Sequence, residues 1–232
     1  VYQVVSPARF AAVLLGRRVL AVRRKGKHLW MELDRRPWPL FHFGMTGSFA
    51  IYHEVTARPR FWKVELAMED GTRLTMPDPR RFGRIRRQEW PEDEHPLASL
   101  GFDPLEGLPP AREIARRLCS RGGAVKSVLL DQSLFAGVGN WIADEALYQA
   151  AIDPRRPASS LAPREVARLR ARLHAIVRYA VAVEADDTRF PRTWLFHDRW
   201  GREEGARTGR GERIVHLTIG GRTTAFVPSR QG

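Results

Sequence analysis

The chain has 232 residues, of which 43% are hydrophobic, so it can bury one large core or two smaller ones and is not a disordered chain. Its apolar runs fall well below the roughly 18 residues that a membrane-spanning helix requires. Lys and Arg total 39 against 26 Asp and Glu, and the resulting charge of +13 favours a polyanionic partner, nucleic acid ahead of a membrane. The single cysteine, Cys119, excludes an intramolecular disulfide and a cysteine-based zinc site.

The first part of the chain, 1–90, is predicted to form strands after a short helix at Pro7–Leu15. Apolar and polar residues alternate over Leu29–Leu33 and again over Trp62–Met68, and a period of two is typical of strands. Asp70-Gly71 then predicts the turn of a hairpin. Several short strands with turn signals indicate a sandwich or a barrel-like sheet.

Three further segments follow the predicted sheet. Residues 91–108 are rich in proline, acid and glycine, which predicts a linker. Residues 109–189 carry the three- and four-residue spacing of amphipathic helices. Residues 190–232 return to β-prone residues, and Gly220-Gly221 predicts a hairpin with Arg222 at its tip. The fold class is therefore α+β.

A glycine-broken turn in the helical segment, Gly137–Asn140, lies between a short helix that carries Lys126 and a second helix from Trp141. Glycines allow a phosphate to approach the backbone, and the N–H groups that begin a helix favour an anion. Lys126 would add a positive charge. The same pattern suits a packed helical hairpin with Asn140 as the N-cap residue, and the residues alone favour neither interpretation.

Two loops of the β segment combine glycine with side chains suited to DNA. His42–Gly47 presents Met45, which is either a core residue or a wedge between bases. The second loop, Asp78–Gly83, carries three candidates: Arg80, Arg81 and Phe82. Arginine neutralises phosphate or reads a base edge, and phenylalanine can enter the base stack. The alternative is an ordinary turn with exposed arginines and a buried Phe82.

The basic segment Arg23–Lys27 is most simply a solvated hairpin tip, and it would also place an amine near a reacting phosphate or sugar. The histidines are scattered without ligand spacing, so no metal site is expected.

Five motifs occur together in one order. They are Lys-Gly-Lys-His-Leu, His-Phe-Gly-Met-Thr-Gly, Asp-Pro-Arg-Arg-Phe-Gly, Gly-Val-Gly-Asn-Trp-Ile-Ala-Asp-Glu-Ala-Leu and Gly-Gly-Arg-Thr-Thr-Ala-Phe-Val. The set resembles formamidopyrimidine-DNA glycosylase of the Fpg/Nei family. Within this family the resemblance is to the plant- and fungal-type members, which lack a zinc finger. The resemblance implies a β-sandwich, a helix–two-turn–helix domain and a zincless antiparallel hairpin finger. It also implies an enzyme that flips an oxidised base out of duplex DNA, cleaves its N-glycosidic bond and nicks the abasic site by β-elimination.

The resemblance carries over to individual residues. Lys27 matches a catalytic lysine that assists at the reacting sugar-phosphate. Five residues match contacts to the DNA backbone: His42, Arg81, Lys126, Asn140 and Arg222. Three match the side chains that fill the hole left by the flipped base: Met45, Arg80 and Phe82. Of these, Arg80 would face the orphaned base, where its donors suit the acceptors of cytosine.

The chain departs from the family at its start. The family nucleophile is an N-terminal proline followed by a glutamate in a Pro-Glu-Leu-Pro-Glu-Val-Glu motif, and this motif is absent here. We therefore expect an N-terminally incomplete chain of a bifunctional glycosylase and abasic-site lyase. Asp78 and Glu32 are conceivable carboxylates, although turn capping or surface charge explains them better.

Two other functions remain open. One is a catalytically inactive protein that binds damaged DNA, and the other is a basic structural protein associated with RNA or the ribosome. The leading interpretation implies damaged double-stranded DNA as the partner, a monomer, no membrane association and no cofactor. The start of the chain shows no signal-peptide pattern, so we expect an intracellular protein of the nucleus, the cytoplasm or an organelle.

Overall fold

The structure, a computed structural model, describes residues 1–3, 6–201 and 205–232. Contacts between residues group the chain into two compact units, Val1–Ser99 and Leu100–Gly232. The division falls inside the segment 91–108 that the sequence predicts to be a linker.

The first unit is a β-sandwich preceded by one helix. Helix α1 (Pro7–Leu14) begins after Ser6, whose hydroxyl accepts a hydrogen bond from the backbone N–H of Arg9. The strands that follow are β1 (Val19–Lys25), β2 (His28–Leu33), β3 (Trp38–His42), β4 (Ala50–Tyr52), β5 (Trp62–Ala67), β6 (Arg73–Pro77) and β7 (Arg84–Gln88). One antiparallel sheet has the order β1-β2-β3-β7, and the other has the order β4-β6-β5. The predicted sandwich and the hairpin at Asp70-Gly71 are confirmed.

Apolar side chains from both sheets form the core of this unit. Met31, Phe41 and Ile85 come from the first sheet, and Val64 and Met76 come from the second. Each is buried, and burial of a side chain of this size stabilises the fold by about 1.5–3 kcal/mol. Because the inward faces are filled, the loops that join the strands are left to carry polar and exposed groups.

The second unit consists of helices and a β-hairpin. Its elements are α2 (Ala111–Cys119), α3 (Val125–Leu130), α4 (Asn140–Ala150), α5 (Pro163–Ala182), β8 (Val215–Ile219), β9 (Arg222–Phe226) and α6 (Pro228–Gln231). Short 3-10 turns in the two units lie at Val55–Ala57, Leu97–Ser99, Ala158–Ser160, Asp187–Arg189 and Leu195–His197. The predicted helical region and the predicted hairpin are both confirmed. Among the described residues, every helix is too short or too polar to cross a lipid bilayer.

Helix α4 begins one residue earlier than predicted. Gly139 is its N-cap residue and Asn140 is its first helical residue, so the prediction that Asn140 caps this helix is wrong. The physical reason is tertiary: the Asn140 side-chain amide is used by the hairpin, where it donates to the carbonyl oxygen of Thr223 at 2.8 Å.

Candidate nucleic-acid interface

Asp78 is a fully buried carboxylate that holds together the two candidate loops of the first unit. Its Oδ1 accepts a hydrogen bond from Thr46 Oγ1 at 3.0 Å, and its Oδ2 accepts one from the backbone N–H of Gly83 at 2.7 Å. Hydrogen bonds to a charged group are worth about 1.5–3 kcal/mol each, more than neutral ones. This agrees with turn capping as the role of Asp78.

The same two loops touch at Gly44. Its φ of 66° lies in the left-handed region, and a β carbon at this position would lie 2.7 Å from the carbonyl carbon of Phe82. Only glycine satisfies both conditions without a shift of the backbone. The contact brings the residue after Gly44, which is Met45, to the loop that carries Phe82.

The predicted hole-filling side chains are exposed. Met45 is 66% exposed and Phe82 is 44% exposed, so the alternatives that place these two side chains in the core are wrong. The Arg80 guanidinium lies over the Phe82 ring, 4.7 Å from its centroid. Arg81 is exposed and has a φ of 58°, which is unusual for a residue with a β carbon. Together the two loops present two apolar groups and two cations to solvent.

Lys27 and His42 lie at one end of the first sheet. The β1–β2 hairpin turns at Gly26-Lys27, and the register pairs His28 with His42, whose rings lie 4.8 Å apart. Nδ1 of His42 accepts a hydrogen bond from the N–H of Gly44 at 3.1 Å, so a neutral ring carries its proton on Nε2. The remaining N–H is a donor of the kind that binds a phosphate oxygen.

At this end of the first sheet, His28 and His42 are both neutral at pH 7 because their pKa values are lowered. Burial, assisted by the positive charges of Lys27 and Arg84, lowers the pKa of His42. Burial and the neighbouring His42 lower the pKa of His28 to about 4. The positive charge of this end therefore comes from lysine and arginine and not from imidazolium.

In the second unit Lys126 is fully buried. Its Nζ donates to the carbonyl oxygen of Asn140 at 2.8 Å and forms an ion pair with Asp144. The other oxygen of Asp144 accepts from Arg199 Nη2 at 2.6 Å. Burial lowers the pKa of Lys126. The structure thus gives Lys126 another role than the predicted phosphate contact, because its ammonium has no exposed surface and instead fixes the first turn of α4.

Asn140 and Arg222 are brought near each other by the hairpin. Asn140 donates to the carbonyl of Thr223, the residue after Arg222, while its Oδ1 is buried without a partner among the described residues. Gly220 and Gly221, with φ of 56° and 71°, form the two-residue turn, and exposed Arg222 begins β9. A helix start, an amide and an arginine therefore share one region of this unit.

Sequence reasoning missed His28, Asp144 and Arg199. Asp144 stands four residues after Asn140 on a helix whose other inward residues are mostly alanine and leucine, and this helical spacing was the available signal. Nothing near Arg199 in the sequence indicates its partner. Among the described residues, no group of three or more His, Cys, Asp or Glu side chains is arranged to hold a metal ion.

Two family models match the chain. The Formamidopyrimidine-DNA glycosylase N-terminal domain matches residues 1–85, and the Formamidopyrimidine-DNA glycosylase H2TH domain matches residues 100–192. These two ranges fall in the first and second structural units, respectively.

Proteins named formamidopyrimidine-DNA glycosylase are similar to this chain along nearly all of its length. The protein from Arabidopsis thaliana is 38% identical over 240 residues, which cover 98% of this chain and 61% of the plant protein. The protein from Pelobacter propionicus is 33% identical over 230 residues, which cover 97% of this chain and 86% of the bacterial protein. The chain therefore spans less than two thirds of the length of the Arabidopsis relative.

Solved structures share the fold. The MutM (Fpg) protein of Thermus thermophilus superimposes with a TM-score of 0.80 at 34% identity, covering 97% of this chain and 86% of that protein. The Lactococcus lactis Fpg, solved in complex with DNA that contains an abasic site, superimposes with a TM-score of 0.83 at 22% identity, with coverage of 97% and 86%. The comparison shows an Fpg-like α+β fold, with an N-terminal β-sandwich, a helix–two-turn–helix domain and a C-terminal hairpin.

Proposed function

Because this chain belongs to the formamidopyrimidine-DNA glycosylase family, we propose that the protein acts in base-excision repair on damaged double-stranded DNA. It flips an oxidised base out of the duplex, cleaves the N-glycosidic bond and nicks the abasic site by β-elimination. The observation that carries the proposal is the exposed group of Met45, Arg80 and Phe82 on two loops that buried Asp78 holds together.

This group suits the vacated position in the duplex. An everted nucleotide leaves a gap lined by two base faces and one unpaired base edge. The thioether of Met45 and the ring of Phe82 provide apolar surface for the faces, and the Arg80 guanidinium provides donors for the edge. The contacts at Asp78 and Gly44 arrange this group before DNA binds, and a group that is already arranged loses less entropy on binding.

Polar groups of both units are proposed to hold the DNA backbone. Lys27 is proposed to assist at the reacting sugar-phosphate, and Nε2–H of His42 and the guanidinium of Arg81 to bind phosphate beside the lesion. In the second unit, Asn140 and Arg222 bind phosphate from the start of α4 and of β9, while Lys126 keeps Asn140 in place. Arginine and backbone N–H groups at a helix start are both suited to this task.

The test is binding to duplexes with one abasic-site analogue opposite each of the four bases. We expect tighter binding to these duplexes than to an intact duplex, with cytosine preferred as the opposite base. Arg80→Ala should reduce the preference for cytosine by about fivefold to 150-fold, since one good bidentate contact discriminates between bases by about 1–3 kcal/mol. Equal binding of the unchanged protein to all four opposite bases would exclude the role of Arg80.

The second candidate function is a damaged-DNA-binding protein without lyase activity, because the exposed group of Met45, Arg80 and Phe82 supports binding whether or not a strand is cut. Borohydride reduction on a duplex with a natural abasic site separates the two, because it traps the iminium that an amine nucleophile forms. A trapped adduct supports the glycosylase–lyase, and binding without an adduct supports the damaged-DNA-binding protein without lyase activity.

A further inference from the structure

A cavity of about 170 Å³ lies at the C-terminal end of α4, within the second unit. Its lining combines residues of α4, α5 and α6 with residues of the segment between α5 and β8: Tyr148, Gln149, Arg172, Thr193, Arg210 and Arg230. The cavity is smaller than the roughly 300–1,000 Å³ of pockets that enclose drug-sized ligands. It therefore suits a compact ion or a single chemical group.

The three arginines of the cavity have no acidic partner. Among the described residues, Arg172, Arg210 and Arg230 take part in none of the ion pairs. Arg172 and Arg210 are exposed, and Arg230 is half-buried. Each guanidinium stays charged, because arginine is not deprotonated in proteins. Three unpaired positive charges around one cavity favour an anion as its occupant.

Hydrogen bonds hold two of these arginines in place without a ligand. Arg230 Nε donates to the carbonyl oxygen of Tyr148 at 3.1 Å, and its guanidinium lies 4.6 Å from the centroid of the Tyr148 ring. The Tyr148 hydroxyl donates to Glu212 at 2.9 Å. Thr208 Oγ1 donates to the same carboxylate at 3.1 Å and accepts from the backbone N–H of Arg210 at 3.3 Å. Arg230 and the turn that carries Arg210 are thus both attached to Tyr148.

The cavity lies at the opposite end of α4 from the proposed DNA contacts. Asn140 begins α4, and Tyr148 follows about 12 Å further along the helix at 1.5 Å per residue. Arg222 begins β9, whereas Arg230 lies beyond the end of β9, in α6. DNA held by Asn140 and Arg222 therefore leaves the cavity to a separate ligand.

The lining fits a phosphoryl group better than a carboxylate. A phosphoryl group carries a charge of about −1.5 to −2 and three strong acceptor oxygens, which match several guanidinium groups at once. A planar guanidinium can donate to two of these oxygens in parallel. Thr193 adds a hydroxyl and Gln149 an amide to the lining. A carboxylate offers only two oxygens and one charge to the three arginines.

We propose that this cavity is a second ligand site, which binds the phosphoryl group of free phosphate or of a small phosphorylated molecule while DNA occupies the other end of α4. The inference goes beyond the proposed function and does not depend on the reaction that the protein catalyses. Arg172, Arg210 and Arg230 donate to the phosphoryl oxygens. Because these arginines come from α5, from the segment before β8 and from α6, the ligand joins three parts of the second unit.

The experiment is a calorimetric titration of inorganic phosphate or glycerol phosphate into the protein at constant ionic strength. It is performed on the free protein and on the protein saturated with an abasic-analogue duplex. We expect one phosphate ion bound per protein in the duplex complex. Binding of glycerol phosphate with equal affinity identifies a phosphorylated molecule as the source of the group, and selective binding of inorganic phosphate identifies the free ion. Either result supports the proposal.

Matched variants locate the bound ion. Arg172→Gln and Arg210→Gln should each weaken phosphate binding about tenfold, through the loss of charged hydrogen-bond donors. Both side chains are exposed and outside the ion pairs of the described residues, so these variants should fold as the unchanged protein does. Arg178→Gln on α5 and Arg213→Gln before β8 remove exposed arginines that do not line the cavity, and they should bind phosphate as the unchanged protein does.

Four results overturn the proposal. They are the absence of saturable phosphate binding, Arg172→Gln and Arg210→Gln binding phosphate like the two controls, acetate competing as well as phosphate, and loss of phosphate binding in the duplex complex. The last result would place the ion at the DNA contacts. A protein that does not prefer the abasic duplex refutes the proposed function alone, because the titrations of the free protein and its variants still test the cavity.

Discussion

Glu145 is a fully buried carboxyl group on α4, next to the ion-paired Asp144. Its Oε1 accepts a hydrogen bond from Gln149 Nε2 at 2.7 Å, and its Oε2 accepts one from the backbone N–H of Phe196 at 2.9 Å. Burial raises the pKa of Glu145 to about 7, although these hydrogen bonds and the charge of Arg199 oppose the shift. The folded protein therefore binds this proton more tightly than the unfolded chain does.

The pKa of Glu145 predicts how stability depends on pH. In the folded protein the pKa of Glu145 is raised from 4.5 to about 7. The Glu145 carboxyl group therefore contributes to the free energy of unfolding at low pH, and this contribution is lost as the pH rises from 4.5 to about 7. Between pH 5 and 8 the free energy of unfolding of the unchanged protein should fall by about 2 kcal/mol more than that of Glu145→Gln. Urea denaturation at both pH values measures this difference.

Glu113 provides the control for this measurement. It lies at the surface, where hydrogen bonds from Arg116 and Arg117 lower the pKa of its carboxyl group to about 2, so its charge is the same at pH 5 and pH 8. Glu113→Gln should keep the pH dependence of the unchanged protein. Parallel pH profiles for the unchanged protein and Glu145→Gln would contradict the assignment.

At the scale of elements, α4 joins most parts of the second unit. Asp144 on this helix pairs with Lys126 of α3 and with Arg199, and its Oδ2 also accepts from the backbone N–H of Ala225 in β9 at 3.4 Å. Removal of one partner from a buried ion pair costs about 3–5 kcal/mol, because the other charge is left unpaired. The hairpin that carries Arg222 is thus attached to the helix that carries Asn140.

We predict that Arg222, in the β8–β9 hairpin, contacts a phosphate and that the salt dependence of DNA binding reports this contact. Arg222→Ala should weaken DNA binding roughly uniformly across sequences and reduce the slope of log K against log[salt] by about 0.9, the value for one contact. Arg112→Ala, which removes an exposed arginine from α2, should leave the slope unchanged. An unaltered slope for Arg222→Ala would exclude Arg222 from the backbone contacts.

At the scale of the whole molecule, few of its many positive charges are expected to meet phosphate. Of the residues proposed for the DNA backbone, Asn140 is uncharged, His42 is neutral at pH 7 because its pKa is lowered, and Lys126 is buried. The exposed cations that remain are Lys27, Arg81 and Arg222.

This set of contacts predicts the salt dependence of the whole protein. Three cationic contacts give a slope of about −2.7, so the affinity for an abasic-analogue duplex should fall about 40-fold between 50 and 200 mM salt at pH 7. A fluorescence-anisotropy titration at four salt concentrations measures the slope. A slope near about −3.6 would indicate a fourth contact and would return Lys126 to the phosphate-binding set.

Much of the fold was predictable because its signals are local. The alternation over Leu29–Leu33 places Met31 in the core, and the Gly220-Gly221 turn needs only two residues that tolerate a positive φ. The exposed loop residues Met45 and Phe82 were identified as candidates by their motifs, although the residues alone left open whether they are buried.

The sequence by itself determined the order of strands, helices and hairpin, the positive charge and the motifs that carry the family resemblance. Only the tertiary structure decided that Lys126 is buried, that Asn140 binds the hairpin, and that Asp78 holds the two hole-filling loops together. The physical reason is distance along the chain. Asn140 and Thr223 are 83 residues apart and Thr46 and Asp78 are 32 apart, so no local pattern encodes these contacts, and burial changes what a lysine or a carboxylate can do.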